Sequence, residues 1–445
     1  MTTQAGQNIE AASAASSPRR AALAAFLGSV IEYYDLVVYG SAAALVFGKV
    51  FFREVDPHIA LIMSFATFAT GYLARPLGGL LFGYIGDKRG RRAALMMTIT
   101  MMGTATVLIG LLPTYDTIGR LAPVLLVILR VIQGLAVGGE LGGAVLISVE
   151  HAPAHRRGFF GSFSTAGAQA GTVVATTVFA LVTLMPDESF IAWGWRLPFL
   201  FSAVMVFVGV LVRYGLDETP DFKNASEADK KKNPIFMAFR EHWSTILAVV
   251  SVMAGMMSIW YILTVYSLSY AVRTVGLDRT SMLWVITVAT LLVVIMNPVW
   301  GALSDRIGRT RLIVGGLIAE GLMLFLYFAT LQNGTPALIF ASLLAVAGFG
   351  HAVINGVFPA FIVESLPPNV RYTAGSFGMQ MASLVAGFAP VVAVSLENTQ
   401  FGVWATVSIC FVLCLVGAAS AYKLAPIAPM LRKKPYAASL ASESA

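Results

Sequence analysis

The chain has 445 residues, of which 57% are hydrophobic and only 12% are charged. A soluble domain carries about 25% charged residues, so this composition excludes a soluble protein, whose surface must face water. At roughly 20 apolar residues per membrane-spanning helix, the length leaves room for about twelve spans. The composition therefore predicts an all-α membrane protein.

The hydrophobic runs fall into two sets of six, separated by one long polar stretch. The first set covers residues 21–47, 58–84, 93–112, 121–149, 158–184 and 196–214. The second set covers residues 242–270, 280–302, 311–331, 336–363, 372–396 and 401–424. We expect a disordered tail over 1–20, an N-terminal six-helix bundle over 21–214, a central loop over 215–241, a C-terminal bundle over 242–424 and a second tail over 425–445.

The basic residues predict the orientation of these spans. If the N-terminus is cytoplasmic, most of the 30 Lys and Arg residues fall in cytoplasmic loops, as the positive-inside rule requires. Both termini, the central loop and both tails are therefore expected in the cytoplasm. The net charge of +7 then needs no nucleic-acid partner to explain it. The first seventeen residues lack the apolar core of a signal peptide, so the first span is expected to remain.

A loop motif occurs once in each half. The two copies share glycine, aspartate and arginine positions: Gly83, Asp87, Gly90 and Arg91 after the second span, and Gly301, Asp305, Gly308 and Arg309 after the eighth. A glutamate follows at nearly the same offset after the fourth and tenth spans, Glu150 and Glu364. This repeat predicts two related bundles around a site near the membrane midplane, which opens to alternate sides as one half rocks against the other.

The repeated motif is expected to act as a gate between conformations. Its aspartates are placed to cap a helix N-terminus, where a carboxylate meets free N–H groups. Its arginines, Arg91 and Arg309, are placed to form bidentate ion pairs with Glu150 and Glu364. Such pairs hold one conformation and break in the other. The alternative is a solvated turn whose cations only set the topology.

These motifs resemble the major facilitator superfamily over about residues 20 to 425. The resemblance rests on the doubled loop motif, the six-plus-six layout and Arg130-Val-Ile-Gln133-Gly134 in the fourth span. Four further motifs resemble the metabolite:proton symporters: Glu32-Tyr-Tyr-Asp35, Arg75-Pro-Leu-Gly-Gly79, Gly138-Gly-Glu140 and Trp193-Gly-Trp195-Arg-Leu-Pro-Phe199. That subfamily includes transporters of shikimate, alpha-ketoglutarate, citrate and proline or betaine. The resemblance implies alternating access and gives Arg130 a part in proton coupling, but it selects no substrate.

Acidic residues at membrane depth are the candidates for proton binding, because a charge there costs at least about 2.5 kcal/mol. Glu32 and Asp35 are three residues apart and so share a helix face. Two close carboxylates in low dielectric cannot both ionise cheaply, so one of them can bind and release a proton. Glu140 lies at similar depth and joins the set with Arg130. The alternative is a carboxylate permanently paired with a nearby cation.

Arg75 is the candidate ligand for a substrate carboxylate, because its planar guanidinium matches the carboxylate geometry. The alternative is a counter-ion for Asp35 or Glu140, and an exchange between the two uses is the reading we favour. We place Tyr34 and Gln133 in the same substrate site.

The C-terminal half offers an aromatic and amide wall to this site. Trp260, Tyr261 and Asn355 are assigned to it, although aromatic residues are more often core. His351 either titrates near neutrality or is an ordinary hydrogen-bonded core histidine. Glu320 is expected to have a packing or lipid-edge role, because the third span of each three-helix unit is peripheral in the fold that the chain resembles.

We therefore expect a proton-coupled symporter that imports a small polar metabolite, foremost an organic acid, across the inner membrane of a bacterium. Its partners are the substrate, protons and the lipid bilayer, with no nucleic acid and no obligate protein partner. The alternatives are a proton/osmolyte symporter for proline or betaine, and a membrane sensor that binds without transporting. An enzyme would need a nucleophile–base pair or a metal cluster at membrane depth. The two cysteines, Cys410 and Cys414, allow no metal site or disulfide framework, and no cofactor is expected.

Overall fold

The computed structural model describes residues 18–89, 91–139, 148–149, 152–214, 234–366 and 371–424. Within these ranges the secondary structure is helical, without strands. Several predicted features lie outside them: Gly90, Glu140, Glu150, most of both tails and most of the central loop. The side chains of Asp87 and Arg91, and the surroundings of Gly83, also lie outside the description.

Twelve long helices follow one another along the described ranges. Those of the N-terminal half, α1 to α6, are Pro18–Leu45, Pro57–Arg89, Arg91–Leu111, Leu121–Gly139, Arg157–Val182 and Leu197–Tyr214. Those of the C-terminal half, α7 to α12, begin with Pro234–Tyr261, Arg279–Ile307, Arg309–Asn333, Pro336–Ala345, Arg371–Glu397 and Val403–Leu424. Helix α7 continues in helical conformation to Val275, and α10 continues to Ser365.

These helices confirm the predicted fold class, an all-α membrane protein built as two six-helix bundles. Nine segments among the described residues are long and apolar enough to cross a membrane, and two more, Met96–Leu111 and Gly194–Val208, are apolar but shorter. The spans agree with the hydrophobic runs because hydrocarbon thickness sets the length of both. Helix α7, however, begins at Pro234, inside the predicted central loop. Proline suits a first helical turn, and hydropathy detects only the apolar part of a helix.

Glycines bring the helices of the N-terminal bundle into backbone contact. A Cβ atom on Gly134 of α4 would lie 2.0 Å from the carbonyl oxygen of Gly71 in α2. A Cβ atom on Gly171 of α5 would lie 2.3 Å from the carbonyl oxygen of Val30 in α1. Small residues at helix crossings allow the close approach on which association within a bilayer depends. The α2–α4 and α1–α5 pairs are thereby fixed, and they carry most of the charged residues of the site.

Two helices of the C-terminal half contain π-helical turns beside the interface between the halves. Helix α7 has them at Ile262–Tyr266 and Ala271–Val275, and α10 has one at Val346–His351. A π turn widens the helix and redirects the side chains that follow it, and such turns are frequent at functional sites. Helices α5 and α8, and α2 and α11, pack across the interface between the halves.

Candidate substrate and proton site

A cavity lies between the two halves, with a volume of about 130 Å³. The N-terminal half contributes polar residues to its wall, including Glu32, Arg75 and Gln169. The C-terminal half contributes aromatic and polar residues, including Trp260, Tyr261, His351 and Asn355. Four of the residues assigned to a substrate site from the sequence, Arg75, Trp260, Tyr261 and Asn355, thus lie on one cavity wall.

Asp35 lies next to this cavity and is 1% exposed. The hydroxyl of Ser202, on α6, donates a 2.6 Å hydrogen bond to its Oδ1. The hydroxyl of Thr106, on α3, lies 3.0 Å from its Oδ2. Three helices therefore meet at this carboxyl group, and both of its oxygens have hydroxyl partners.

A chain of polar side chains links Asp35 to Arg130. The Gln133 amide donates a 2.8 Å hydrogen bond to the Thr106 hydroxyl. The same amide accepts a hydrogen bond from the Arg130 guanidinium through its oxygen. Because Arg130 and Gln133 are both at least 97% buried, a change of charge at Asp35 acts on Arg130 with little screening by water.

Aromatic rings surround the Arg130 guanidinium. Its central carbon lies 4.1 Å from the centre of the Tyr39 ring and 5.1 Å from the centre of the Phe68 ring. The backbone carbonyl of Phe68 accepts two long hydrogen bonds from it, of 3.4 Å each. Ring faces attract a desolvated guanidinium, so this cage holds a buried cation while leaving Asp35 to its hydroxyl partners.

A small second cavity lies beside the central cavity, next to Asp35. Its wall includes Asp35, Arg130 and Gln133, and it shares Glu32 and Arg75 with the larger cavity. It has room on the order of one water molecule. The two cavities therefore have part of their walls in common.

Arg75 connects the site to the C-terminal half. Its guanidinium carbon lies 4.2 Å above the ring of Tyr72. The Tyr72 hydroxyl donates a 2.7 Å hydrogen bond to the hydroxyl of Tyr261 on α7. The aromatic residues that contact Arg75 thus bridge the interface, and Arg75 can respond to movement of either half.

Two of the residues assigned to the substrate site lie elsewhere. Tyr34 points between α1 and α6, where its hydroxyl donates a 2.8 Å hydrogen bond to the Pro198 carbonyl. Its neighbour Tyr33 lines the cavity instead, because adjacent helix residues point about 100° apart. Gln133 lines the small cavity beside Asp35. Among the described residues it therefore belongs to the hydrogen-bonded chain between Asp35 and Arg130.

Of the two roles expected for Glu320, packing or lipid edge, the lipid-edge role is wrong. Glu320 has no exposed surface, and its Oε1 lies 2.9 Å from Nδ1 of His351 on α10. Helix α9 does lie at the edge of the bundle, but this residue is on the face that packs against α10. The His351 ring also stacks on Trp260, with ring centres 4.1 Å apart.

The C-terminal copy of the loop motif joins the two halves. The Asp305 carboxylate accepts hydrogen bonds from the backbone N–H groups of Gly158 and Phe159, at 3.0 and 3.1 Å. The prediction that Asp305 caps a helix N-terminus is confirmed, and the capped helix, α5, belongs to the opposite half. We call this region, residues 154–159 and 301–309, the motif end.

Arg309 completes the motif end. One of its nitrogens lies 2.7 Å from Asp305 and 3.2 Å from Glu364. The predicted Arg309–Glu364 pair is therefore present, through a single nitrogen. Gly301 lies against Gly158, where a Cβ atom would be 2.5 Å from the Gly158 carbonyl oxygen. Gly308 ends α8 with a φ of +103°, a conformation that favours glycine.

The halves also meet at the opposite end of the cavity. Arg279 of α8 pairs with Asp187 at 2.8 Å, and its guanidinium carbon lies 4.3 Å from the Phe190 ring centre. The hydroxyls of Thr280 and Thr183 are 3.0 Å apart. The halves are therefore held together on both sides of the cavity.

The main residues that the sequence analysis missed are hydroxyl and amide side chains: Tyr72, Thr106, Gln169 and Ser202. Within an apolar run Ser and Thr usually bond their own helix backbone, and Tyr and Gln are uncharged, so nothing in the sequence marks these four as site residues. Their depth matches that of Asp35 and Arg75, but depth alone does not show which face they occupy. Among the described residues no group of three or more His, Cys, Asp or Glu is placed to hold a metal ion.

Comparisons with known proteins agree with this architecture. The family model "Sugar (and other) transporter" matches residues 21–234, and "Major Facilitator Superfamily" matches residues 248–443. The shikimate transporter of Escherichia coli is 39% identical over 412 residues, which cover 91% of this chain and 94% of that protein. The proline/betaine transporter of Salmonella typhimurium is 35% identical over 394 residues, which cover 86% of this chain and 78% of that protein.

Solved structures are similar in fold. A D-xylose-proton symporter superimposes with a TM-score of 0.72 at 19% identity, over 92% of this chain and 98% of that chain. A partially occluded inward-open form of the E. coli xylose transporter XylE gives a TM-score of 0.69 at 19% identity, over 90% and 96% of the two chains. At these identities the likeness shows the shared fold.

Proposed function

The chain belongs to the major facilitator superfamily, a family of multi-pass membrane transporters, and we propose that it is a proton-coupled symporter that imports a small organic acid. The observation that carries this proposal is the buried Asp35 carboxyl group, held by hydroxyls in a small cavity that adjoins a polar cavity between the halves. We place the protein in the inner membrane of a bacterium with both termini in the cytoplasm. The distribution of Lys and Arg supports that orientation.

The Asp35 carboxyl group can keep its hydrogen bonds both with and without a proton. The Thr106 hydroxyl lies 3.0 Å from Asp35 and 2.9 Å from the Met102 carbonyl. When Asp35 is ionised, the hydroxyl donates to the carboxylate. When Asp35 is protonated, the carboxylic acid donates to the threonine oxygen, and the threonine proton turns to the carbonyl. A group that changes its proton without leaving a buried partner unsatisfied suits a transport cycle.

Charge balance gives a reason for coupling. The N-terminal half carries Glu32, Asp35, Arg75 and Arg130 around two adjacent cavities. Protonation of Asp35 removes a negative charge, so the site becomes more positive and binds an anionic substrate more tightly. By linkage, the bound anion raises the affinity of the site for the proton to the same degree. Proton and organic acid therefore bind together, which is symport.

The cavity wall supports the substrate class. Arg75 supplies a planar guanidinium for a carboxylate, and Asn355 supplies an amide for a hydroxyl or carbonyl. Trp260 and Tyr261 supply faces against which a small ring can pack. Shikimate, which the most fully covered relative reported above transports, has a carboxylate, hydroxyls and a ring. We take it as the first substrate to test.

A zwitterionic osmolyte is the second candidate. The aromatic faces of Trp260 and Tyr261 suit a quaternary ammonium group, and Arg75 suits the carboxylate of the same molecule. The proline/betaine relative supports this reading, with a smaller share of its length covered. A betaine carries no net charge, so the charge-balance argument for coupling favours the organic acid.

Uptake into proteoliposomes with an imposed pH gradient tests the proposal. The panel contains shikimate, a dicarboxylate, an aromatic acid, proline and glycine betaine. We expect accumulation of an organic acid above equilibrium, and its loss when a protonophore collapses the gradient. Accumulation of betaine alone would establish the second candidate. Binding without accumulation of any compound would indicate a sensor and would contradict symport.

A further inference from the structure

The C-terminal half contributes its own ionisable pair to the cavity, which the function proposed above does not use. Glu320 and His351 are 0% and 2% exposed, and the pair is joined by the 2.9 Å contact between Oε1 and Nδ1. His351 lines the central cavity together with Arg75. A buried carboxylate is costly at membrane depth unless it is paired. The burial of this ionisable pair therefore needs a functional explanation.

The local structure orients His351 toward the cavity. His351 ends the π-helical turn of α10 and stacks on Trp260 with an interplanar angle of 14°. A Cβ atom on Gly350 would lie 2.9 Å from the Cα atom of Glu320, so glycine allows α10 to approach α9 here. The ring is thereby fixed with Nδ1 on Glu320 and Nε2 directed away from it.

The second ring nitrogen meets the opposite half of the protein. His351 Nε2 lies 3.2 Å from the amide nitrogen of Gln169 on α5. An unprotonated Nε2 accepts a hydrogen bond from this amide. A protonated Nε2 must donate: without substrate, rotation of the amide brings its oxygen into place as the acceptor, and a bound anion takes the place of that oxygen. Two oxygens at this site are buried without hydrogen-bond partners in the described part of the chain. They are this amide oxygen, Gln169 Oε1, and the second carboxylate oxygen of Glu320, Oε2.

We propose that Glu320 and His351 form a second proton-binding site, and that its imidazolium form holds the anionic group of the substrate from the C-terminal half. The added proton forms the Nε2–H bond and comes from water in the cavity. With a neutral imidazole the pair carries a net negative charge, and with an imidazolium it is neutral. This inference rests on the proposed transport of an organic acid and adds a cationic ligand opposite Arg75.

Among the ionisable groups that face the pair, Glu320 is the dominant electrostatic partner of His351. Four titratable residues line the same cavity from α1, α2 and α7: Glu32, Tyr33, Arg75 and Tyr261. Glu32 and Arg75 carry opposite charges, so their fields at His351 oppose each other. The thiols of Cys410 and Cys414 on α12 lie near Glu320 and are neutral in their ordinary form. The described parts of α5 and α8 carry ionisable residues only near their ends.

The contact with Gln169 links this proton site to the movement of the halves. Gln169 belongs to the N-terminal half and His351 to the C-terminal half, so separation of the halves breaks their contact. Nε2 then faces water, where it exchanges its proton. Binding of the anion and closure of the halves both favour the imidazolium. Protonation of His351 therefore accompanies substrate binding, as protonation of Asp35 does.

The stack of Trp260 on His351 provides a direct optical test, because an imidazolium quenches the fluorescence of an indole in contact with it. The measurement is tryptophan emission of the purified full chain between about pH 5 and pH 8, with the Trp260→Phe variant subtracted to isolate Trp260. We expect emission to fall as the pH falls. In His351→Asn the transition should disappear. In Glu320→Gln its midpoint should move to lower pH, because the carboxylate no longer stabilises the cation. If the difference in emission between the native chain and Trp260→Phe does not change with pH, the proposal is overturned.

The effect of substrate on the fluorescence midpoint tests whether the imidazolium binds the anionic group of the substrate. Saturating shikimate should move the fluorescence midpoint of the native chain to higher pH, and glycine betaine should move it less. His351→Gln, a second neutral replacement, should weaken shikimate binding by about tenfold, the typical effect of losing a hydrogen bond between charged groups. An unchanged midpoint and affinity with every acid of the panel would remove His351 from the site. If His351 titrates but no acid is accumulated, the proton site is supported and the proposed transport is contradicted. If uptake is coupled to the proton but His351 does not titrate, only the second proton site is contradicted.

Discussion

The carboxylate of Asp305, in the C-terminal half, accepts a hydrogen bond of 3.0 Å from the backbone N–H of Gly158 at the start of α5 in the N-terminal half. A helix N-terminus has free N–H groups and a partial positive charge, both of which favour a carboxylate. The cap is usually supplied by the residue that precedes the helix. Here the other bundle supplies it, so the motif end is closed by an interaction that must break whenever the halves separate there.

Replacement of Asp305 by asparagine should favour opening at the motif end. The variant keeps one acceptor oxygen and loses the charge that serves Gly158, Phe159 and Arg309. Loss of a negative charge at a helix N-terminus costs about 0.3–1 kcal/mol, which corresponds to a roughly two- to fivefold shift in the closed-to-open ratio. The measurement is the rate of maleimide labelling after Ser162→Cys, a position that is buried against Gly301.

Asp278 provides the matched control for this prediction. Its carboxylate caps α8 by accepting a 2.8 Å hydrogen bond from the backbone N–H of Ser281, within one half. Asp278→Asn therefore removes the same charge from a helix N-terminus without touching the interface between the halves, and labelling at position 162 should stay at the parent rate. Equal labelling in the two variants would show that the Asp305 cap does not hold the halves together.

Replacement of Asp35 by asparagine should uncouple transport from the proton. The amide has the size of the carboxyl group and can still bond the hydroxyls of Ser202 and Thr106, but it cannot bind and release a proton. We expect uptake driven by a pH gradient to fall to simple equilibration, while exchange of substrate across the membrane continues. Asp116→Asn is the control, because Asp116 is exposed and pairs only with Arg53 among the described residues. Equal loss of driven uptake and exchange would assign Asp35 to binding or folding.

The fold was predictable because lipid imposes one strong requirement on each span. Helix α8 begins at Arg279, one residue from the start of its hydrophobic run, since both follow the thickness of the hydrocarbon. Charges inside these runs are equally conspicuous. Asp35, Arg75 and Arg130 therefore stood out, and the structure places all three around two adjacent cavities.

The partners of these charges were not predictable, because they depend on which face of each helix turns inward. Tyr33 and Tyr34 are adjacent and chemically identical, yet only Tyr33 lines the cavity. Thr106 and Ser202 look like ordinary small residues until the packing of α3 and α6 brings them to Asp35. Glu320 lies on a peripheral helix, and only the approach of α10 at Gly350 shows that it is fully buried.

Replacement of Arg130 by lysine should impair coupling although the charge is kept. A lysine has no planar group to stack on Tyr39 and Phe68 while bonding Gln133, and each of these contacts is worth about 0.5–2 kcal/mol when desolvated. We expect the initial rate of proton-driven uptake to fall roughly tenfold, which corresponds to about 1.4 kcal/mol. Arg53→Lys is the control, since an exposed ion pair contributes little. A native rate in Arg130→Lys would mean that charge alone suffices at this position.

Replacement of Gly134 by alanine should destabilise the N-terminal bundle. The new methyl group would lie 2.0 Å from the carbonyl oxygen of Gly71, and a backbone atom cannot move aside without separating α2 from α4. Overpacking of this kind costs about 1–3 kcal/mol. The separation also moves Phe68 and Arg130, so proton-driven uptake should fall together with the thermal unfolding temperature of the purified protein.

Gly315→Ala is the control for this last change. Gly315 lies in the interior of α9, where a Cβ atom has no neighbour within 4 Å. Alanine is a better helix former than glycine by up to about 1 kcal/mol, so this variant should unfold at the native temperature or above it. Thermal unfolding of both variants in detergent, followed by tryptophan emission, compares them directly. Equal unfolding temperatures would show that the helices adjust to the methyl group, and that close contact between α2 and α4 is not required.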